Sequence, residues 1–253
     1  MTLPQPNGPF EWTQEKWGRA LRCAAMPAPH LFSTTDLRLG GSGWADLARS
    51  LGLAPSNVLH PRQAHGADAV VVSHRDSDPA AVGAAAADII MTGTSTFGVA
   101  VRSADCVPLL LADARSGAVA AAHAGWRGTA AGVARAAVQQ LERHFGSRPE
   151  DLIVAVGPSI GPCCYRVGEE LLPAFGEAGR CWFSRLHGGL MLNLWKANED
   201  QLVQAGVKRG NVHVAELCTA MHGEVFPSYR RDGRRAGRLV AVIRAAGQSR
   251  CSS

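Results

Sequence analysis

The sequence predicts a single α+β domain, and three observations favour that fold class. Short apolar runs separated by turn residues recur from residue 67 to residue 123, which is the pattern of a sheet. Helical patterns gather after this region instead of alternating with the strands. The 253 residues are 46% hydrophobic and contain no repeat, low-complexity linker or charge block that would separate domains.

The predicted strands are short segments rich in valine, isoleucine, leucine and alanine, each bounded by turn residues. In the first half of the chain they are ADAVVVSH, ADIIMTG, FGVAVRS, VPLLLAD and GAVAAAH, the last of which ends at His123. Further along, DLIVAVG is predicted to be a buried strand, and NVHVAEL and GRLVAVIRA are predicted to be closing strands.

Three helices are expected in the second half of the chain. Thr129 is predicted to cap the first of them, over residues 130–145. A short helix is expected over residues 169–175. The segment LNLWKANEDQLVQAG predicts a third helix, capped by Asn193 and ended by Gly206.

The arginine-rich segment SYRRDGRRAGR allows two interpretations. Asp232 and Gly233 favour a solvated turn between two strands. Its arginines equally suit an anion-binding loop, because the guanidinium fork matches phosphate and carboxylate geometry.

The composition argues against several classes of protein. Seven cysteines without a CxxC pair indicate neither a disulfide framework nor a structural zinc finger. Cys163 and Cys164 are expected to pack a loop near the site, with a redox or extra metal role as the alternative. The first residues lack the pattern of a secretory signal, and no window reaches about 18 apolar residues. We therefore expect a cytoplasmic protein without membrane association. The formal charge is +5, but only three of the 26 basic residues are lysine, and we expect no nucleic-acid partner.

Three residues that could carry chemistry lie at junctions of strands and loops. They are His65 in RQAHGAD, Cys106 in RSADCVPLLL and His123 in AAAHAGWRG. If the strands around DARSG form an antiparallel hairpin, Cys106 and His123 lie side by side. Two histidines and a cysteine leave the fourth position of a zinc ion open, as in catalytic sites. Without metal, the same residues could act as a cysteine nucleophile and a histidine base.

Asp105, which precedes Cys106, has two possible roles. Its carboxylate could orient a ligand imidazole or move a proton, or it could simply cap the end of a strand.

The sequence closely resembles the YfiH family, the laccase-domain proteins also called peptidoglycan editing factor or polyphenol oxidase. The matching stretches are QAHG, ADIIMTG, VRSADCVPLLLAD, AAAHAGWRGTAAGV, VGPSIGPCCYRVGEE, LNLWKANEDQL, CTA and FPSYRRDGRRAGR, in the family's order. This resemblance implies an α/β/β/α sandwich like that of the catalytic domain of cytotoxic necrotizing factor. It also implies that His65, Cys106 and His123 form the family's metal-binding catalytic triplet.

The N-terminal part of the chain departs from this family pattern. The resemblance divides the chain into a divergent segment, residues 1–59, packed on the same domain, and a YfiH-like catalytic domain, residues 60–253. Family members carry an arginine in an early FxTRxGGVS stretch, whereas LFSTTDLRLGGSGW has Thr35 there. Arg38 is the candidate replacement.

The resemblance implies purine nucleoside phosphorylase activity on adenosine, inosine and methylthioadenosine, yielding the base and ribose 1-phosphate, together with adenosine deaminase activity. Zinc on the triplet would lower the pKa of a bound water to about 7, which supplies the hydroxide for deamination. Phosphate must be held beside the ribose, and the candidate anchors are Arg127, Arg230 and Arg231. Trp126 is expected to pack against the sheet, with stacking on a purine as a second possibility.

Three other functions are compared with this one. A peptidoglycan-precursor editing amidase would use Cys106 as nucleophile and His123 as base, or zinc in their place. A binding module without catalysis is the second. For the third, polyphenol oxidase, the ligand set could accept copper. However, nine histidines without an HxH pair cannot supply the clustered imidazoles of a multicopper enzyme, so we expect no oxidase activity. The sequence leaves the oligomeric state open.

Overall fold

Two six-stranded sheets form the centre of the molecule in the computed structural model, which describes residues 3–73, 77–186 and 188–246. The first sheet has the order β1 (Phe10–Glu15), β2 (Gly18–Cys23), β3 (His30–Ser33), β15 (Leu239–Arg244), β7 (Gly98–Ser103) and β4 (Val58–Leu59). The second has the order β14 (Val212–Val214), β10 (Leu152–Val156), β8 (Val107–Asp113), β9 (Val119–Ala124), β6 (Ile89–Thr92) and β5 (Ala69–Val72). A three-stranded sheet contains β11 (Arg166–Val167), β13 (Gly189–Leu192) and β12 (Phe183–Leu186).

The described residues also form seven α-helices. They are α1 (Gly43–Ser50), α2 (Pro79–Ala84), α3 (Trp126–Ala130), α4 (Val133–Phe145), α5 (Leu172–Phe175), α6 (Leu194–Gln204) and α7 (Tyr229–Asp232). Within the described ranges, none of the helices has the length and apolar character that crossing a bilayer requires.

Three apolar clusters hold these layers together. Phe32 of the first sheet and Leu110 of the second belong to the cluster between the sheets. The outer face of the second sheet packs against α4 and α6, with Leu109 in the shared cluster. The outer face of the first sheet packs against α1, and Leu47 and Val240 belong to the cluster between them. The predicted α+β class and its α/β/β/α sandwich are therefore confirmed.

Burial on both faces explains why the central strands read as unbroken apolar runs. All seven residues of β8 are buried. Leu109 and Leu111 face the helices, whereas Leu110 faces the other sheet. A strand covered on both sides has no polar face, so it lacks the alternation of a half-exposed strand. Each of the predicted strands forms, although His74, at the end of the first one, lies outside the described residues.

The predicted cap at Thr129 is wrong. Thr129 is buried inside the short helix α3, and its hydroxyl accepts a hydrogen bond from Asn198. A break at Gly132 then separates α3 from α4. Gly132 has φ 82°, a left-handed conformation that glycine adopts at little cost. The predicted end of the helix is confirmed, since Gly146 is its C-cap, and Asn193 caps α6 as predicted by accepting from the Lys196 N–H.

The arginine-rich segment does not form the turn between two strands that we considered. Residues 229–232 form α7, and residues 233–235 continue as a 3-10 turn. Ser228 caps α7 by accepting a hydrogen bond from the Arg231 N–H. This local side-chain bond favours a helical turn over a hairpin.

The N-terminal segment contributes four strands to the first sheet, with β1, β2 and β3 on one side of the sheet and β4 at its other edge. β1, β2 and β3 form successive antiparallel pairs, and β3 pairs with β15 near the other end of the chain. This pairing supports the proposal that residues 1–59 pack on the same domain as the rest.

A close contact between the two sheets predicts the effect of one substitution. A Cβ atom at Gly157 would lie 2.2 Å from Cε1 of the buried Phe32. Because the ring cannot move away without disturbing the core, we expect Gly157→Ala to destabilise the fold by about 1–3 kcal/mol in urea unfolding. Gly40→Ala is the control, because no atom lies within 4 Å of a Cβ there. Equal stability of the two variants would contradict the contact.

Candidate metal centre

The predicted hairpin brings Cys106 and His123 together. β8 and β9 pair in antiparallel register, with Val107 opposite Ala124 and Pro108 opposite His123. Cys106 directly precedes β8, so its thiol lies beside the His123 imidazole at the open end of the hairpin. The side-by-side arrangement predicted from the sequence is therefore confirmed.

His65 reaches the same point from a separate turn before β5. Its backbone is left-handed, with φ 62°, a conformation that costs free energy in a residue other than glycine. Its ring centroid lies 4.9 Å from that of His123 in an edge-to-face arrangement. One ligand atom each from His65, Cys106 and His123 lie within 4.8 Å of one another.

A fully buried carboxylate, Asp88, holds both histidines in place. Its Oδ1 accepts a hydrogen bond of 2.8 Å from Nδ1 of His123. Its Oδ2 accepts bonds of 3.0 Å and 2.7 Å from the N–H groups of Ala64 and Gly66, the neighbours of His65. Because the Nδ1 proton of His123 points at Asp88, the lone pair of Nε2 is left for a metal ion.

The sequence left Asp105 open either to this orienting role or to capping a strand end, and the structure places Asp88 in the orienting role. The Asp105 carboxylate accepts hydrogen bonds from the Thr219 hydroxyl at 2.7 Å and the Arg230 N–H at 2.6 Å. It thus fastens two later loops to the turn before Cys106. The sequence signal for Asp88 is an aspartate at the second position of ADIIMTG, directly before a strand whose four residues are all buried.

Electrostatic interactions favour a thiolate beside an imidazolium when no metal is bound. Burial on its own would raise the pKa of Cys106, but hydrogen bonds and charge from His123 and His65 lower it to about 6. Burial on its own would lower the pKa of His123, whereas Asp88 and the Cys106 thiolate raise it to about 9. The thiolate is the form that binds metals and attacks carbon.

The three residues fit a metal ion of the catalytic type. Zinc binds imidazole nitrogen at about 2.0–2.1 Å and thiolate sulfur at about 2.3 Å, so three donors this close can share one ion. Gly125 keeps the site open, because a Cβ there would lie 2.9 Å from Sγ of Cys106. Three protein ligands leave one position for substrate or water. Copper accepts the same donors.

The trio lies in the wall of a cavity of about 760 Å³, a size that suits a small-molecule ligand. The arginines in its wall are Arg62, Arg102, Arg127, Arg230 and Arg238. Among its described lining residues, the only carboxylate is that of Asp105, whose two oxygens already accept hydrogen bonds. The cavity therefore favours an anion.

Three of the four predicted substrate-binding residues line this cavity. Trp126 and Arg127 form the first residues of α3, and the Arg127 guanidinium lies 4.4 Å from the Trp126 ring centroid. Trp126 also packs against the core on the outer face of the second sheet, as predicted. The Arg230 guanidinium lies 5.3 Å from the Tyr165 ring centroid.

The fourth residue, Arg231, is placed differently. Its guanidinium donates to the carbonyls of Thr219 and Phe226 and pairs with Asp232, so it fastens the C-terminal loop. Arg231 lines a neighbouring cavity of about 740 Å³ together with Thr35 and Arg38, the residues of the altered N-terminal motif.

Asp88→Asn tests the part that this carboxylate has in metal binding. The asparagine amide has one acceptor oxygen, so it cannot accept hydrogen bonds both from His123 and from the Ala64 and Gly66 N–H groups, as the two carboxylate oxygens do. We therefore expect zinc affinity to fall roughly 10- to 100-fold in a competition titration. Asp113→Asn is the matched control, a buried carboxylate at the opposite end of the same hairpin. Equal loss in both variants would show general destabilisation instead.

The lowered pKa of Cys106 predicts a pH profile. A thiolate forms as the pH rises through the pKa, so alkylation of Cys106 in metal-free protein should be half-maximal near pH 6. Peptide mapping after iodoacetamide treatment at a series of pH values measures the alkylated fraction of Cys106, with the exposed Cys181 as internal reference. A Cys106 profile with its midpoint in the alkaline range of a free thiol, about pH 8.5, would contradict the electrostatic account.

Comparison with known proteins agrees with this geometry. Residues 42–246 match the model of a family described as multi-copper polyphenol oxidoreductase laccase. A purine nucleoside phosphorylase from Bacteroides thetaiotaomicron is 38% identical over 62% of this chain, and the match spans 60% of that protein. A purine nucleoside phosphorylase from Deinococcus radiodurans is 35% identical over 88% of this chain, and the match spans 91% of that protein. An adenosine deaminase from an unknown prokaryotic organism is 33% identical over 78% of each chain.

Solved structures show the same fold. The YfiH protein of Bacillus licheniformis matches 90% of this chain and 96% of its own, with a TM-score of 0.82 at 27% identity. The match to YlmD of Geobacillus stearothermophilus covers 92% of this chain and 98% of YlmD, with a TM-score of 0.80 at 29% identity. The sequence resemblance to YfiH proteins, the family model and these structures agree: the chain belongs to the YfiH family of laccase-domain proteins.

Proposed function

We propose that this chain is a purine nucleoside phosphorylase that cleaves adenosine, inosine and methylthioadenosine with phosphate, and that it also deaminates adenosine at the same site. One observation carries the proposal: the trio of His65, Cys106 and His123 opens into an arginine-lined cavity. The names of the relatives support both reaction classes.

Unpaired positive charge supports phosphate as the second substrate. The Arg102 guanidinium donates no hydrogen bond to any residue in the described ranges. Burial and the nearby charge of Arg238 both lower its pKa. Arg127 lines the cavity from α3, its guanidinium lies over the Trp126 ring, and that guanidinium forms no hydrogen bond or ion pair within the described ranges. A phosphate dianion would neutralise such groups through charge-assisted hydrogen bonds.

Aromatic side chains in the same cavity support a purine as the other substrate. Trp126, Tyr165 and Tyr229 line it together with the arginines. Their faces can stack on a flat heterocycle, while the arginines hold phosphate beside the ribose. The cavity thus offers an apolar surface for the base and a cationic one for the attacking anion.

The metal and its supporting residues have separate parts in this proposal. Zinc held by His65, Cys106 and His123 would supply a Lewis acid beside the bound nucleoside. Asp88 keeps the proton of His123 on Nδ1 and fixes the turn that carries His65. Asp105 accepts hydrogen bonds from Thr219 and Arg230 and so holds the loop of Tyr229 and Arg230, which line the cavity.

Phosphate-dependent turnover of inosine tests the proposal. Zinc-loaded protein is expected to form hypoxanthine and ribose 1-phosphate only when phosphate is present, measured by chromatography. Arg127→Ala should raise KM for phosphate roughly 10- to 100-fold, the loss of a charged hydrogen bond of about 1.5–3 kcal/mol, with little change in KM for inosine. Arg135→Ala is the control, an exposed arginine of α4 outside the cavity.

Two results would contradict the proposal. Base release that does not depend on phosphate would show that the protein is not a phosphorylase. An unchanged KM for phosphate in Arg127→Ala would show that Arg127 does not bind phosphate.

A peptidoglycan-precursor amidase remains the second candidate, because Cys106 and His123 form a thiolate–imidazolium pair. Cleavage of a precursor amide that survives chelation would identify a cysteine hydrolase.

A further inference from the structure

A second group of sulfur atoms lies outside the candidate metal centre. The Sγ atoms of Cys163, Cys164 and Cys218 lie within 4.8 Å of one another. Those of Cys163 and Cys164 are 3.7 Å apart, and Sδ of Met221 lies 3.4 Å from Sγ of Cys163. Four sulfur atoms from two loops therefore meet at one place.

These distances suit a shared cation. Sulfur ligands that each lie about 2.3 Å from one metal ion are about 3.8–4.0 Å apart in tetrahedral or trigonal geometry. A disulfide requires about 2.05 Å, so the sulfur atoms are separate thiols as they stand. Small movements of the Cys163 and Cys164 side chains would bring all three sulfur atoms to metal-binding distance.

The backbone already fixes one ligand and the loop that carries the other two. Ser159 and Cys218 form a parallel bridge between the two loops. The Gly161 N–H donates a 3.2 Å hydrogen bond to Sγ of the buried Cys218. Hydrogen bonds of this kind stabilise a thiolate and are common around metal-bound sulfur.

We propose that Cys163, Cys164 and Cys218 form a second metal site, specific for Cu(I), with the thioether of Met221 as a further ligand. Thiolate and thioether donors are soft and favour Cu(I). Zinc, by contrast, takes nitrogen, oxygen or thiolate ligands, so the thioether discriminates between the two ions. Cys163 and Met221 are exposed, the latter by 60%, which gives the ion a path from solvent.

Hydrogen bonds to Asp105 join both loops of the site to the cavity. The Ile160 N–H donates to the Asp105 carbonyl at 2.9 Å. Thr219, next to Cys218, donates to the Asp105 carboxylate, and Asp105 precedes Cys106. A cation bound by the three cysteines would hold the loop of Ile160 and Tyr165, both of which line the cavity. The inference concerns metal binding alone and does not depend on the reaction proposed above.

Titration with Cu(I) tests this site in a protein whose first centre is disabled. In a Cys106→Ala background, under reductant and without oxygen, the chain should still withdraw one equivalent of Cu(I) from a chromogenic Cu(I) chelator. Adding Cys163→Ser should abolish this uptake. Adding Cys181→Ser and Cys251→Ser should leave it unchanged, since Cys181 lies outside the cluster and Cys251 lies outside the described residues. Met221→Leu should weaken Cu(I) binding without changing zinc binding.

Three results would overturn the proposed Cu(I) site. The proposal is wrong if the Cys106→Ala protein withdraws no Cu(I), if Cys163→Ser retains the ion, or if zinc displaces Cu(I) from the cluster. Cys163 is a surface residue, so its substitution is expected to leave the fold intact, which circular dichroism checks. If Cys163→Ser does unfold the chain, Cys164→Ser gives the same comparison with a half-buried ligand.

Discussion

The buried carboxylate of Asp88 is the interaction on which the candidate site depends. Its charge is removed from water, which is costly unless the oxygens find donors. His123 supplies one donor and the N–H groups of Ala64 and Gly66 supply two more. The same bonds that compensate the buried charge set the proton on His123 and shape the turn of His65. One residue thus links His65 and His123, whose hydrogen bonds and electrostatic interactions with Cys106 lower the pKa of its thiol.

The sandwich fold explains why such a site can be rigid. β8 and β9 lie in the middle of the second sheet and are covered on both faces, so the end of their hairpin cannot shift without opening two cores. Cys106 and His123 sit at that end. The strained backbones of His65 and Asp105, with φ 62° and 88°, are held in place by this rigid frame and by hydrogen bonds to their neighbours.

The sequence alone predicted the parts of this arrangement that follow from local pattern. Apolar runs located the strands, and the hairpin placed Cys106 beside His123. Asp88 was missed, because an aspartate before a strand also fits an ordinary turn, and only the fold brings it to His123. The break at Gly132 was missed because the helical pattern continues across it. The strands of residues 10–33 were missed because they include half-exposed, charged positions such as Glu11 and Arg22. Only β3 pairs with β15, more than 200 residues away, and β2 and β1 are added to the sheet through β3.

X-ray absorption at the zinc edge of zinc-loaded protein tests the central claim most directly. If Asp88 organises a His65, Cys106 and His123 centre, the spectrum will show one sulfur at about 2.3 Å and two imidazole nitrogens at about 2.0–2.1 Å. A first shell without sulfur, or one made mainly of sulfur, would contradict the account and place the ion elsewhere in the molecule.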